Sequence, residues 1–241
     1  MLQEKTHRLV KNPQISARYL ADYMAGSERA RRTIVQGCKY QPTARVIQHN
    51  EAKTIVSKFI RDGEGDVWAL AMRAKSIRDR LADTDFERDL YDHNADYIDR
   101  FSNVYGSISW PGAEITAPGN VAPLLLSGVK VTFELHFGLR RITKTNKVRV
   151  GVGMLRYAKG KPLPEATAEW QSALLYGYLT ESGVEEGADP EHKLCVTLDA
   201  YAGKAHPAPG DAMSRFHNME AACATIAERW PNVAAPAKAV L

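Results

Sequence analysis

Residues 128–157 read GVKVTFELHFGLRRITKTNKVRVGVGMLRY, and apolar residues occupy every second position in two runs of this stretch. The first run extends from Val129 to Phe137 and the second from Lys147 to Tyr157. Such alternation is the pattern of a strand with one buried face. The polar residues 143–146 between the runs predict a turn, so the stretch is predicted to form a β-hairpin. The positions predicted to face the core are Val131, Phe133, Leu135, Val150, Val152 and Met154.

Helix and strand patterns alternate after the hairpin. Pro162 and Pro164 precede a helical pattern from about Glu165 to Thr180, and a short strand is predicted over residues 194–198. A last helix is predicted to be capped by Ser214 and to end before Pro231. This order predicts an α/β (α+β) fold in which a small mixed sheet is flanked by helices. Leu194, Val196 and Leu198 complete the predicted sheet core, and the residues predicted to cover it are Trp170, Leu174, Ile226 and Trp230.

The first hundred residues have helical rather than alternating patterns. The clearest example begins after Asp66 and places Val67, Leu70, Ala74, Ile77 and Leu81 on one face. Proline and glycine are frequent between residues 106 and 127, which favours a connection between two parts of the chain. We therefore predict a helical region over residues 1–105, a connecting loop over 106–127, an α/β domain over 128–232 and a flexible tail over 233–241.

The composition is that of an ordinary globular protein, with 44% hydrophobic and 25% charged residues in 241. No apolar run approaches the roughly 18–20 residues that a membrane-spanning helix needs. The first 13 residues lack the apolar core of a signal peptide, so a cytoplasmic protein without membrane contact is predicted. The three cysteines show no C-x-x-C spacing, which indicates neither a disulfide framework nor a zinc ribbon.

Positive charge is concentrated in the hairpin region, although the net charge is only +4. Residues 128–161 contain nine lysines and arginines against the single acid Glu134, whereas residues 79–99 are strongly acidic. Phosphate contacts come mainly from lysine and arginine, so this asymmetry predicts a nucleic-acid-binding surface. A merely solvated hairpin is the alternative. The predicted contacts are Arg140, Arg141, Lys144, Lys147, Arg149 and Arg156 of the hairpin region, and Arg29, Arg31 and Arg32 of an N-terminal helix.

The segment Met154-Leu155-Arg156-Tyr157-Ala158-Lys159-Gly160-Lys161 is followed by a helix that contains Trp170-Gln171 and Tyr176. This order resembles the PD-(D/E)XK nuclease-like folds, particularly their RecB-like branch, over about residues 128–230. The resemblance implies a restriction-endonuclease-like core and places Gln171 close to DNA or to the metal site. It also implies two acids that hold Mg²⁺ and a lysine that assists catalysis. In this chain Arg156 replaces the second acid and Ala158 replaces the lysine.

The resemblance leaves Glu134 as the nearest candidate for the first acid and Lys159 as the nearest basic partner. We expect the charge of Glu134 to be offset by a base such as Arg156 or Lys159, and we expect no metal site and no cofactor. The leading hypothesis is a nucleic-acid-associated protein that is catalytically inactive. One alternative is an active Mg²⁺-dependent nuclease, in which an acid such as Glu51, Glu114 or Asp199 joins Glu134. Another is an adaptor subunit in a protein complex of bacterial phage defence or of a mobile element.

Overall fold

A computed structural model describes residues 5–43, 49–63 and 66–241, and it shows a mixed α/β protein, as the sequence predicts. The helices are α1 Ala17–Ala25, α2 Glu28–Lys39, α3 Asn50–Asp62, α4 Val67–Arg78, α5 Asp85–Val104, α6 Glu165–Ser182 and α7 Ala212–Arg229. The strands are β1 His7–Leu9, β2 Gln14–Ser16, β3 Tyr40–Pro42, β4 Glu114–Thr116, β5 Leu124–Leu126, β6 Val129–Thr132, β7 Phe137–Ile142, β8 Val148–Arg156, β9 Ala188–Pro190, β10 Val196–Asp199 and β11 Lys204–Pro207.

The main sheet has six strands in the order β11-β10-β8-β7-β4, and β9 also pairs with β8. Strands β7 and β8 form an antiparallel hairpin in which Phe137 lies opposite Gly153 and Ile142 lies opposite Val148. Helix α6 then crosses over to β10, which runs parallel to β8. A parallel neighbour requires such a crossover, whereas an antiparallel hairpin needs only a tight turn. The order of a hairpin, a helix and a parallel strand agrees with the prediction, but the first strand of the hairpin is β7 and not the run from Val129 to Phe137.

The alternating run from Val129 to Phe137 does not form one strand, so that part of the prediction is wrong. Strand β6 covers its first residues and belongs to a separate three-stranded sheet of order β2-β6-β5. Residues 133–136 leave the strand ladder, and β7 begins at Phe137 in the main sheet. Phe133 packs on Tyr178 of α6, with ring centroids 4.2 Å apart. Phe133 is therefore packed against helix α6 and not against a neighbouring strand. For this reason the alternation of apolar and polar residues continues through residues 133–136, although they form no strand.

The two faces of the main sheet cover two different hydrophobic cores. On one face Val152 and Met154 pack with α1, α6 and α7. On the other face Leu155 of β8 and Leu198 of β10 pack with α3, α4 and α5. The N-terminal helices thus share both cores with residues after 128. Predicted core residues that are buried are Val131, Val152, Met154, Leu174, Leu194, Val196, Leu198, Ile226 and Trp230, while Phe133, Leu135, Val150 and Trp170 are partly buried.

Two glycines permit the closest contacts in these cores. A Cβ atom at Gly153 would lie 2.0 Å from the ring of Phe137 on the opposite strand. A Cβ atom at Gly177 of α6 would lie 2.0 Å from the ring of Phe216 on α7. These positions bring an aromatic ring against the backbone of its neighbour, which a larger residue would prevent.

Several predicted boundaries are corrected by the structure. The connecting loop over residues 106–127 contains strands β4 and β5. Helix α4 ends at Arg78, so Leu81 is 93% exposed and does not extend the apolar face. Helix α7 begins at Ala212, before the predicted cap at Ser214. A three-residue strand forms only where another strand pairs with it, and local sequence patterns do not show that partner. Helix ends are uncertain by one or two residues in any case.

Residues 233–241, predicted as a flexible tail, form hydrogen bonds to the N-terminal region. The Thr6 amide donates to the Val240 carbonyl at 2.9 Å, and the Tyr40 hydroxyl donates to the Val233 carbonyl at 3.0 Å. The buried Lys39 ammonium donates to the Trp230 carbonyl at 2.7 Å. Among the described helices, none is both long enough and apolar enough to cross a membrane.

Candidate functional site

Strand β8 ends at Arg156, whose side chain is buried rather than exposed. Its Nη2 donates to Asp22 Oδ1 at 2.7 Å, and its Nη1 donates to Gln171 Oε1 at 2.8 Å. Burial lowers the pKa of Arg156 and the nearby Asp22 carboxylate opposes this, but a guanidinium remains charged in proteins. Arg156 and Gln171 were both predicted to contact nucleic acid. The structure places them against each other below the surface.

Glu134 lies between β6 and β7, and its partner is a base of α3. The Lys53 ammonium donates to both carboxylate oxygens of Glu134, at 2.7 and 2.9 Å. A base was expected beside Glu134, with Arg156 and Lys159 as the named examples, and the base found there is Lys53. Arg156 pairs with Asp22, and Lys159 pairs with Asp96 of α5. Glu134 lies among residues 133–136, which are outside the β7–β8 ladder, so it is not paired with the end of β8.

The acids considered as partners of Glu134 have other contacts. Glu51 forms an ion pair with Arg80 at 2.7 Å. Glu114 lies opposite Arg140 in the β4–β7 ladder. The Asp199 carboxylate accepts from backbone amides that include Leu163, at 2.7 Å. Within residues 5–43, 49–63 and 66–241, no group of three or more histidine, cysteine, aspartate or glutamate side chains is arranged to hold a metal ion.

Lys53 and Glu134 line a cleft of about 640 Å³ between the N-terminal helices and the segment after β6. We call it the Lys53 cleft. Arg18 and Tyr19 of α1 line it, as does His49 immediately before α3. Burial lowers the pKa of His49, and neighbouring His93, Lys53 and Arg18 lower it further. His49 is therefore neutral at neutral pH, and the cleft side chains named here carry two positive charges and one negative charge.

A second histidine, His136, lies behind Glu134 and is 5% exposed. Its Nδ1 accepts a hydrogen bond from the Leu155 amide at 3.2 Å, which leaves the proton of the neutral ring on Nε2. Burial lowers the pKa of His136 to about 4. Its Nε2 has no hydrogen-bond partner among the described residues and lies 3.7 Å from Glu134 Oε1.

Further buried polar atoms near this cleft also lack a partner in the described part of the chain. They are His49 Nδ1 and the Tyr97 hydroxyl. The Tyr97 ring stacks on Tyr157 at 4.0 Å, and the His49 ring contacts it edge-on at 5.6 Å. Buried polar atoms of native proteins are nearly always hydrogen-bonded to protein or water. Several buried polar atoms without a hydrogen-bond partner among the described residues therefore lie close together behind the cleft.

The arginines of the hairpin are largely paired within the chain. The acidic segment after α6 folds beside the hairpin, because β9 pairs with β8. The ion pairs are Arg140–Glu185 at 3.3 Å, Arg149–Asp189 at 2.9 Å and Arg141–Glu191. These acids pair with the hairpin arginines, while Asp96 of the acidic segment 79–99 pairs with Lys159. The predicted positive surface is therefore partly neutralised.

The remaining predicted bases have different surroundings. Lys144 and Lys147 are exposed at the hairpin turn and form no ion pair within the described residues. Arg31 donates to the backbone carbonyls of Tyr23 and Met24, so it joins α2 to the end of α1. Arg32 pairs with Glu28 at 3.3 Å on the same helix, and Arg29 is exposed.

The sequence patterns missed Arg18, His49 and Lys53 as site residues. His49 and Lys53 are one helical turn apart, which is a weak local signal for a shared face. Nothing local connects them with Glu134, which lies 81 residues after Lys53. Comparison of the chain with protein-family models gave no match, and comparison with curated protein sequences gave none either.

Proposed function

We propose that the protein binds nucleic acid through the Lys53 cleft, on a scaffold related to the PD-(D/E)XK nucleases, and does not cleave it. One observation carries this proposal. A buried guanidinium, Arg156, stands at the end of β8, where the resemblance requires a metal-binding carboxylate. The chain therefore has a fixed positive charge where the nuclease mechanism needs a negative one.

The arrangement of the main sheet supports the relation to this scaffold. The β7–β8 hairpin is followed by the crossover helix α6 and by the parallel strand β10. This is the element order on which the resemblance rests. Gln171, the helix residue of the resemblance, contacts the end of β8 through its hydrogen bond to Arg156.

The charges support binding without metal chemistry. At the end of β8 the Asp22 carboxylate is engaged by Arg156 in an ion pair at 2.7 Å, so it is not free to hold a divalent cation. A phosphate group would be attracted by Arg18 and Lys53, which line the open cleft. The site thus favours an anionic ligand over a cation.

Binding is tested with fluorescently labelled single-stranded and double-stranded DNA and RNA at low salt, by fluorescence anisotropy. We expect saturable binding by the wild-type protein and weaker binding by Arg18→Ala/Lys53→Ala. The control is Arg140→Ala/Arg141→Ala, which removes the same number of positive charges from the hairpin, outside the cleft. Absence of binding to every nucleic acid form would contradict the proposal.

Cleavage is tested separately with a supercoiled plasmid in the presence of Mg²⁺ or Mn²⁺. We expect the wild-type protein and Glu134→Ala to give the same background of nicked plasmid. Nicking by the wild type that disappears in Glu134→Ala would support the alternative of an active nuclease instead.

A further inference from the structure

A cavity of about 260 Å³ lies between α2 and α7, and it shares no lining residue with the Lys53 cleft. We call it the α2–α7 cavity. Its apolar lining comes from Tyr23, Val35, Ile226 and Val233. Pockets that enclose a whole small ligand typically have a volume of about 300–1,000 Å³. The α2–α7 cavity is therefore better suited to a single inserted side chain than to a complete ligand.

The rim of the α2–α7 cavity is positively charged. Three arginines and one acid line it, namely Arg31, Arg32, Arg229 and Glu28. Glu28 contacts Arg32 at 3.3 Å and Arg229 at 3.6 Å, and these arginine side chains are 78% and 63% exposed. Because one acid faces three bases, the rim has an excess of positive charge. Such a rim favours an apolar group that is flanked by acids.

The loop between α4 and α5 presents an apolar group of this kind. Leu81 in this loop is 93% exposed. The exposed acids around it are Asp79, Asp83 and Asp85. The single base of the loop, Arg80, already forms an ion pair with an acid of α3 at 2.7 Å. The loop therefore presents a leucine within a local excess of negative charge.

The cavity and the loop lie on opposite faces of the main sheet. Residues of the cavity belong to the core that contains α1, α6 and α7. Helices α4 and α5 pack in the core on the other face. The two features do not meet within one chain, so a contact between them requires a second copy of the chain.

We infer that the chain associates with copies of itself head to tail, with Leu81 of one copy inserted into the α2–α7 cavity of the next. The aspartates beside Leu81 then face the arginines of the cavity rim. Burial of an almost fully exposed leucine provides the apolar contact, and the opposite charges fix its orientation. Each copy contributes a loop on one side and a cavity on the other, so the contact is heterologous rather than two-fold symmetric.

Sedimentation velocity of the full chain at increasing protein concentration tests this contact. We expect the weight-average sedimentation coefficient of the wild-type protein to rise with concentration. The rise should be smaller at high salt, because salt screens the charges. Leu81→Ser removes the inserted group, and Arg32→Glu/Arg229→Glu reverses the charge of the rim. Each variant should associate at least roughly tenfold more weakly than the wild-type protein, as is typical when a central interface anchor is removed.

An equimolar mixture of the two variants distinguishes a heterologous contact from other modes of association. Leu81→Ser keeps an intact cavity, and Arg32→Glu/Arg229→Glu keeps an intact loop. We therefore expect the mixture to form a one-to-one complex that neither variant forms alone. Ala234→Trp, which fills the cavity from an exposed lining position, provides a second cavity variant for the same mixture.

The controls change exposed residues of the hairpin, which does not line the cavity. They are Ile142→Ser, at a side chain that is 61% exposed, and Lys144→Glu/Lys147→Glu. Both should associate like the wild-type protein. A wild-type protein that stays monomeric at every concentration would overturn the inference. Unchanged association of Leu81→Ser would do the same, as would mixtures that stay monomeric with both cavity variants.

Discussion

His136 shows how one buried residue couples the cleft to the stability of the fold. Its Nδ1 holds the Leu155 amide on β8, and its ring is enclosed beside Glu134, Lys53 and Arg61. Burial keeps the ring neutral by lowering its pKa from 6.5 to about 4. The native packing therefore requires a neutral His136 ring, so the stability of the fold is sensitive to acid.

The expected effect is a loss of stability as the pH falls. Between pH 6.5 and about 4 the unfolded chain binds a proton on His136 that the folded chain does not bind. The free energy of unfolding therefore decreases toward acid by ~2 kcal/mol between pH 7.5 and pH 5 from this residue alone. His136→Asn, which keeps an acceptor near the Leu155 amide, should reduce this pH dependence in urea unfolding. His217→Asn, which changes an exposed histidine, is the control, and an equal reduction by both variants would contradict the assignment.

A substitution at Gly153 tests how closely the two strands of the hairpin pack. Gly153→Ala would place a Cβ atom 2.0 Å from the ring of the fully buried Phe137. Overpacking of this kind typically costs 1–3 kcal/mol, so we expect a loss of about 3 kcal/mol in the free energy of unfolding. Gly112→Ala, where a Cβ atom meets nothing within 4 Å, should leave stability nearly unchanged in the same denaturant titration. A tolerated Gly153→Ala would contradict the cross-strand register.

At the scale of elements, the end of β8 depends on Arg156 joining α1 to α6. Arg156→Met leaves Asp22 without its ion-pair partner and leaves the fully buried Gln171 without its donor. We expect a loss of about 3 kcal/mol in the free energy of unfolding, as is typical when one partner of a buried pair is removed. Arg149→Met breaks a more exposed pair with Asp189 and should cost less than about 1 kcal/mol. Equal costs for the two variants in urea titrations would contradict the structural role assigned to Arg156.

The elements also show which parts of the fold local patterns can predict. Strand β8 and helices α4 and α6 were predicted because each repeats a period over many residues. Six strands, β1, β2, β3, β4, β5 and β9, have three residues each among the described residues, too few for a period to be visible. The break between β6 and β7 could not be predicted from the sequence pattern, for a different reason. Phe133 and Leu135 continue the alternation while packing on the core that contains α6.

At the scale of the whole molecule, the candidate site joins segments that are far apart in the chain. Lys53 and Glu134 are 81 residues apart, and Asp22 and Arg156 are 134 residues apart. The composition of each segment predicted a basic surface, but the pairing decides which charges remain available. The hairpin arginines pair with acids of the segment 185–191, and Lys53 pairs with Glu134 in the cleft that Arg18 also lines. The sequence therefore predicted that the site is positively charged, but it did not predict which residues carry that charge.

The salt dependence of nucleic acid binding tests the central claim most directly. Each phosphate contact contributes roughly 0.7–0.9 to the slope of log affinity against log salt concentration. We predict that Arg18→Ala/Lys53→Ala lowers the slope of the wild-type protein by roughly 1.5 and weakens binding, while Arg140→Ala/Arg141→Ala leaves the slope unchanged. An unchanged slope in the cleft variant, or a reduced slope in the hairpin variant alone, would contradict binding through the Lys53 cleft.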